Sequence, residues 1–349
     1  MNYKNLKIGY VPLNSDLTTA PGDYRRFVKY ANIRGIRFDI ANTDKIYDIV
    51  VVSQGADITL WRDYEHGVIV YDLIDSYLSI PKTNIKGVFR GIAKYISRQH
   101  YKLDISYWSS VKKMCLRADI VICSTKEQRN KILPYCSDVR IILDYHDDVV
   151  KNPKIDYKIG NVIKLVWEGM PSNLYQLRAI KKPLLRLYRK YKIELHIVTN
   201  IKYKKFLGSF WLVSSAKEAR RIFPNSIVHE WTKENVSGIV RNCDIAIIPI
   251  DGDYSLTKNK PENKLLFFWR MGIPVVSSNI PSYRRTMNNA GLNYDCENES
   301  EWYIKIEKLI LDYDLRKNYG ASGKKYALEC YGSNRINDEW DSVIIKRSR

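Results

Sequence analysis

Residues 258–278 read KNKPENKLLFFWRMGIPVVSS, and the first half of this stretch concentrates groups that could handle a phosphorylated ligand. Lys260 and Lys264 are cations placed just before and within the start of an apolar run. Leu265, Leu266, Phe268 and Trp269 give that run a core-facing helical character. A helix N-terminus offers unpaired N–H groups and the positive end of the peptide dipole, so a phosphate seated near Asn263 would gain from backbone and lysines together. Gly272 suits the helix stop, and 273–278 reads as a short buried strand. The spacing alone fits an ordinary αβ unit with solvated lysines equally well.

Three other places carry chemistry. Asp72 and Asp75 close an apolar strand, at the carboxyl edge where open α/β sheets bind ligands. Asp75 is read equally well as a helix cap. Pro21-Gly22-Asp23 precedes Arg25 and Arg26, either as a helix start capped by Asp23 or as a turn admitting a phosphate close to the backbone. Gly169 follows another apolar strand, in the turn EGMPSN.

The elements that position these groups alternate. Apolar strands are expected over 7–13, 48–54, 67–71, 118–124 and 139–143, with helices over 24–33 and from 125 to 133. The pattern restarts with strands over 164–167, 194–199, 227–231 and 244–250, a basic helix over 174–191, and a helix over 233–241. Residues 144–158 are polar and unpatterned and read as a linker. This predicts two Rossmann-like α/β domains, 1–150 and 160–330, followed by a helix and tail over 331–349.

The detailed string then narrows the reading. Asn263, Lys264, Leu265, Leu266, Gly272, Pro274, Val275, Val276 and Ser278 resemble the donor segment of GT-B glycosyltransferases, specifically the family 4 / group 1 enzymes of bacterial surface-polysaccharide synthesis. Trp231, the strand 244–250 and the cadence Tyr319-Gly320…Gly323…Ala327…Tyr331-Gly332 extend the likeness over 163–345. The resemblance implies two domains facing a central cleft and a C-terminal helix crossing back to the first domain. It assigns donor contacts to Gly22, Arg25, Gly169, Trp231, Lys260, Glu262, Asn263, Lys264 and Leu265, with Asp72, Asp75 and Lys264 as catalytic candidates. Two positions depart from the pattern. The family glutamate that holds the donor ribose falls on Phe267, leaving Glu262 as the stand-in, and the family histidine falls on Ile74. Arg178 is the nearest basic residue after Gly169.

Composition bounds the partners. The 349 residues carry 57 basic and 38 acidic side chains, a net charge of +19, which calls for an anionic partner. Lys82, Lys86, Arg90, Lys94 and Arg98 recur every four residues beside an apolar stripe, a band suited to an anionic membrane surface. Six scattered cysteines form no metal or disulfide pattern, and the start of the chain enters a strand directly. The expectation is therefore a cytoplasmic enzyme, peripheral on the inner face of the plasma membrane, without cofactor or obligatory metal. It would move a sugar from a nucleotide-sugar to a glycan or polyprenyl-linked acceptor with retention of configuration. A catalytically degenerate scaffold subunit and a nucleotide-sugar epimerase are the alternatives. Nucleic acid is not expected as a partner, because no recognised binding module is present.

Overall fold

The computed structural model describes residues 6–81, 92–97, 99–104, 106–204, 212–252 and 255–345. The chain divides into two compact units. One holds Met1–Tyr145, Asn259–Pro261 and Ser333–Arg349, and the other holds His146–Lys258 and Glu262–Gly332.

The first unit is built on a parallel sheet ordered β2-β1-β3-β4-β5-β6. Its strands are β1 (Ile8–Val11), β2 (Asp39–Ile40), β3 (Ile49–Ser53), β4 (Val68–Asp72), β5 (Ile120–Cys123) and β6 (Val139–Ile141). β3 and β5 are buried at every position, which is why they read as unbroken apolar runs rather than alternating ones. The expected helix over 24–33 is instead two, Pro21–Tyr24 and Phe27–Arg34, broken at Arg26. The break has a cause. The Arg26 side chain is fully buried and turns inward, with two bonds to Asp72 (2.6 and 2.7 Å) and others to Asp144 and the Ile142 carbonyl.

The helix Ser333–Ile344 belongs to this same unit, in agreement with the expected return of the C-terminus. Trp340 stacks on Tyr30 at 5.5 Å, Asp341 accepts from Tyr30 and Arg34, and Tyr145 donates to Asn337 at 2.6 Å. Trp340, Tyr30 and Tyr145 form one core with Phe27, Val343 and Ile344.

The second unit has its own parallel sheet, ordered β11-β8-β7-β12-β13-β14. The strands are β7 (Ile163–Glu168), β8 (Ile193–Thr199), β11 (Ser226–Glu230), β12 (Ile245–Ile248), β13 (Val275–Ser278) and β14 (Asp295–Cys296). Counted within the unit this is 3-2-1-4-5-6, the doubly wound order, with its switch point between β7 and β12. A short antiparallel hairpin, β9 (Lys202–Lys204) and β10 (Leu212–Ser214), is an addition the sequence reading lacks. The basic helix expected over 174–191 resolves into a 3-10 segment, Pro171–Ile180, and an α-helix, Lys181–Lys190.

The helix Asn263–Arg270 is held against the nineteen-residue helix Tyr313–Tyr331 by unusually close packing. A Cβ on Gly323 would lie 2.9 Å from the Trp269 indole, and one on Gly320 would meet the Gly272 carbonyl at 2.4 Å. Only glycine permits that approach. Tyr319 donates to the Val275 carbonyl at 2.6 Å, tying the long helix to β13. Gly272, at φ +74, ends the shorter helix as expected.

Candidate functional site

The second unit brings Lys264 and Gly169 together. Gly169 follows the C-terminal end of β7, beside the switch point, and its N–H donates to the Val198 carbonyl at 3.1 Å. Lys264 stands one residue into the helix Asn263–Arg270, and its Nζ lies so close that a Cβ on Gly169 would sit 2.5 Å from it. The same Cβ would be 2.9 Å from the Trp167 ring. A side chain at this position would force the Lys264 ammonium or the Trp167 ring to shift.

Two β7 side chains complete the setting, and the sequence reading passed over both. Glu168 Oε2 is 4.0 Å from Lys264 Nζ, and the ammonium rides 5.1 Å from the centre of the Trp167 ring. Surrounding protein pushes the lysine below its ordinary range, and Glu168 offsets part of that shift. An ammonium disfavoured in this way is stabilised further by any anion that approaches it. Glu168 had one legible signal, a carboxylate at the last position of a strand.

The helix start adds to the field. Its N-cap is Glu262, whose side chain makes no capping bond to the helix, while its carbonyl accepts from the Leu266 N–H at 3.0 Å. Glu262 itself is buried, and its Oε1 accepts from Thr286 at 3.2 Å and from Tyr331 at 3.4 Å. That places it in the interior of the unit. Leu265 is wholly buried and packs in the core with Leu266, Phe268 and Trp269. Phe267 is also buried, its ring 6.2 Å from that of His146. Asn263 is half-buried at the first helical position. Trp231 follows β11 and donates its N–H to the Thr199 carbonyl at 3.1 Å. Arg178 is exposed on the 3-10 segment.

Lys260 falls in the short segment Asn259–Pro261 that groups with the first unit. There, the carboxyl edge of the sheet carries the remaining candidates. Gly22 is tightly packed, since a Cβ would meet Leu13 Cδ1 at 2.2 Å and Ile74 Cδ1 at 3.0 Å. It lies inside the helix Pro21–Tyr24 rather than before it, and Asp23 does not cap that helix. The Asp23 carboxylate instead accepts from Tyr10 (2.5 Å), Leu13 N–H (2.9 Å) and Asn14 N–H (3.1 Å), fixing the loop after β1. Arg25 is half-buried, its guanidinium 5.5 Å from the Tyr24 ring.

Asp72 is buried in the Arg26 ion pair. Burial alone would push the guanidinium down, but the neighbouring carboxylates of Asp72 and Asp144 outweigh it and hold Arg26 well above its usual range, so the pair is an internal brace. Asp75 is clasped by Gln54, whose amide donates to Asp75 Oδ2 at 2.8 Å and accepts from its N–H at 2.5 Å. That reciprocal pair links the loops after β3 and β4. Of the basic band, Lys82, Lys86, Arg90 and Arg98 lie outside the described residues. Lys94 is described, with its Nζ 4.7 Å from the Tyr107 ring. Among the described residues no group of His, Cys, Asp and Glu has the arrangement of a metal site, and no helix is long and apolar enough to cross a membrane.

No protein-family model matches the chain, and no curated protein matches it by sequence. Solved structures do match. A glycosyltransferase from Rickettsia africae superposes with a TM-score of 0.60 at 12% identity, covering 97% of this chain and 98% of that one. The glycosyltransferase TarM gives 0.57 at 13% identity over 84% of this chain, which spans about half of TarM's length (53%). A trehalose-6-phosphate enzyme from E. coli, solved with UDP-2-fluoro glucose, gives 0.55 at 12% identity over 87% of this chain and 75% of its own. The chain has the GT-B fold that these proteins share.

Proposed function

We propose that this GT-B chain is a glycosyltransferase that moves a hexosyl group from a nucleotide-sugar to a glycan acceptor with retention of configuration. The observation that carries the reading is the placement of Lys264 Nζ against Gly169 and the start of the helix Asn263–Arg270, at the switch point of a doubly wound sheet. Breaking the glycosidic C–O bond leaves negative charge on the departing diphosphate. A cation, first-turn N–H groups and a glycine that admits the ligand close to the backbone are a preorganised answer to that charge. Attack by an acceptor hydroxyl on the face the diphosphate leaves gives retention, with the hydroxyl proton passing to a departing phosphate oxygen. Lys264 then supplies the positive charge that a divalent metal supplies elsewhere. A nucleotide-sugar-bound structure in the fold group supports the donor class.

The acceptor is proposed to be lipid-linked, with the protein peripheral on the cytoplasmic face of the plasma membrane. The net charge of +19 supports attraction to an anionic surface. Thermal-shift screening against UDP-, GDP-, CMP- and dTDP-sugars, followed by a nucleotide-release assay, tests the donor reading. Saturable stabilisation by one donor and turnover lost in Lys264→Ala are expected. A catalytically degenerate scaffold would give neither, and an epimerase would release the nucleotide or interconvert the sugar without an acceptor.

A further inference from the structure

The second unit has a basic cavity of about 840 Å³ at the opposite edge of its sheet. It is lined by residues 152–156, 158 and 160–162 ahead of β7, by Arg241 and Asn242 at the end of the helix Val236–Arg241, and by Lys324 of the helix Tyr313–Tyr331. Lys164 and Asp244 place it at the amino ends of β7 and β12. Gly169 stands beyond the other end of β7. A six-residue strand separates the two edges by roughly 17–20 Å.

Five cations face the cavity, Lys154, Lys158, Lys164, Arg241 and Lys324, against the carboxylates of Asp156 and Asp244. The carboxylates are already engaged by backbone. Asp244 Oδ2 accepts from Lys164 N–H at 2.9 Å, and Asp156 Oδ1 from Lys158 N–H at 3.0 Å. Lys154 is the telling side chain. It is more than nine-tenths buried, and its ammonium lies 3.5 Å from the Arg241 carbonyl, 3.7 Å from Asp244 Oδ1 in an ion pair, and 6.0 Å from the centre of the Tyr157 ring. A buried ammonium normally fills its donors. This one shares a single carboxylate, already bonded to backbone, with four other cations on the wall of a cavity with three net positive charges.

We propose that this cavity binds a phosphate or diphosphate group, at a site separate from the Lys264–Gly169 edge. Lysine ammoniums act as point charges on such oxyanions, and cations converging from three chain segments can surround a tetrahedral group as a flat surface cannot. The volume leaves room for a sugar or similar body attached to the phosphate. Burial also pushes the Lys154 ammonium below its ordinary range, a penalty that a bound anion would relieve. None of this depends on the transferase reading, and the two can fail separately.

The test is calorimetric titration with inorganic pyrophosphate at low ionic strength, on the wild type, on Lys264→Ala and on the double variant Lys158→Gln/Lys324→Gln. The two substituted side chains of the double variant are exposed or half-exposed, so its circular dichroism should match the wild type. The wild type should show a class of site that persists in Lys264→Ala, and a second class where the Lys264 edge also takes pyrophosphate. The double variant should weaken one class about tenfold or more and leave the other, with Lys264→Ala doing the reverse. Identical isotherms for the double variant and the wild type would overturn the proposal, as would a single class of site abolished by Lys264→Ala alone. Vesicles of phosphatidylglycerol identify the source of the phosphate. Vesicle binding weakened by the double variant and competed by pyrophosphate assigns a lipid headgroup. Vesicle binding unchanged, beside a weakened pyrophosphate site, assigns a soluble phosphorylated ligand.

Discussion

Replacing Lys264 with alanine isolates the contribution of one charge. The side chain is about one-third exposed and its ion pair with Glu168 is 4.0 Å long. Such a pair contributes about 0–1 kcal/mol to folding, so the variant should unfold within a few degrees of the wild type. Donor use should suffer far more. A hydrogen bond to a charged group contributes about 1.5–3 kcal/mol, or roughly a 10–150-fold change in rate or affinity. Removing the lysine also leaves the Glu168 carboxylate uncompensated beside the place proposed for the diphosphate, which pushes the loss toward the upper end. The assay is kcat/KM for the donor found by screening, with near-neutral circular dichroism as the control. A kcat/KM within twofold of wild type would refute the reasoning and take Lys264 out of the site. A large loss of both activity and melting temperature would refute it differently, by making the lysine structural.

Gly169→Ala should imitate that loss without touching any charge, because its methyl would occupy the space of Lys264 Nζ and press on Trp167; wild-type donor kinetics would mean the ammonium has another productive position. Asp72→Asn should destabilise the fold by about 3–5 kcal/mol in urea titrations, since it strips a buried guanidinium of a bidentate partner; a change below 1 kcal/mol would mean Asp144 alone suffices. Among the described residues the buried ring nitrogens of His100 have no hydrogen-bond partner, and burial, reinforced by Lys94, lowers its pKa to about 4. Its folded pKa lies below the unfolded value near 6.5, so its contribution is full above about pH 6.5 and falls by up to about 1.4 kcal/mol per unit toward pH 4. His100→Phe should flatten that part of the pH–stability curve, and an unchanged slope would exclude the histidine. If Lys264 stands in for a metal, excess EDTA should leave turnover unchanged, and a loss restored by Mg²⁺ would contradict the assignment.

How far these features could be read in the sequence depended on the range of the interaction behind them. Strands such as β3, β5 and β12 are buried at every position, so burial wrote them into the chain as unbroken Val and Ile runs. Two-residue β2 and β14 at the sheet edges left no comparable trace. The break at Arg26 was illegible because its causes, Asp72 and Asp144, stand 46 and 118 residues away. The candidate site was legible in its parts. Lys264 announced itself by its place at a helix start, and Gly169 by following a strand, but nothing local says that one needs the other's missing Cβ. The surroundings of Glu262, offered by the resemblance as the stand-in for the family glutamate, were out of local reach, since Thr286 and Tyr331, which bond its carboxylate, lie far along the chain.

The core that Trp340 completes also sets an order of assembly during synthesis. Phe27 and Tyr30 emerge early from the ribosome, yet the helix that covers them is made some 190 residues after Tyr145. Until then the first sheet carries an open apolar flank, while the second unit, His146–Lys258 and Glu262–Gly332, already has every strand of its sheet. The middle of the chain can thus finish before its beginning. A nascent chain stalled before Ser333 would expose aromatic surface and invite chaperones or aggregation, so a C-terminal truncation would be felt first at the N-terminal sheet.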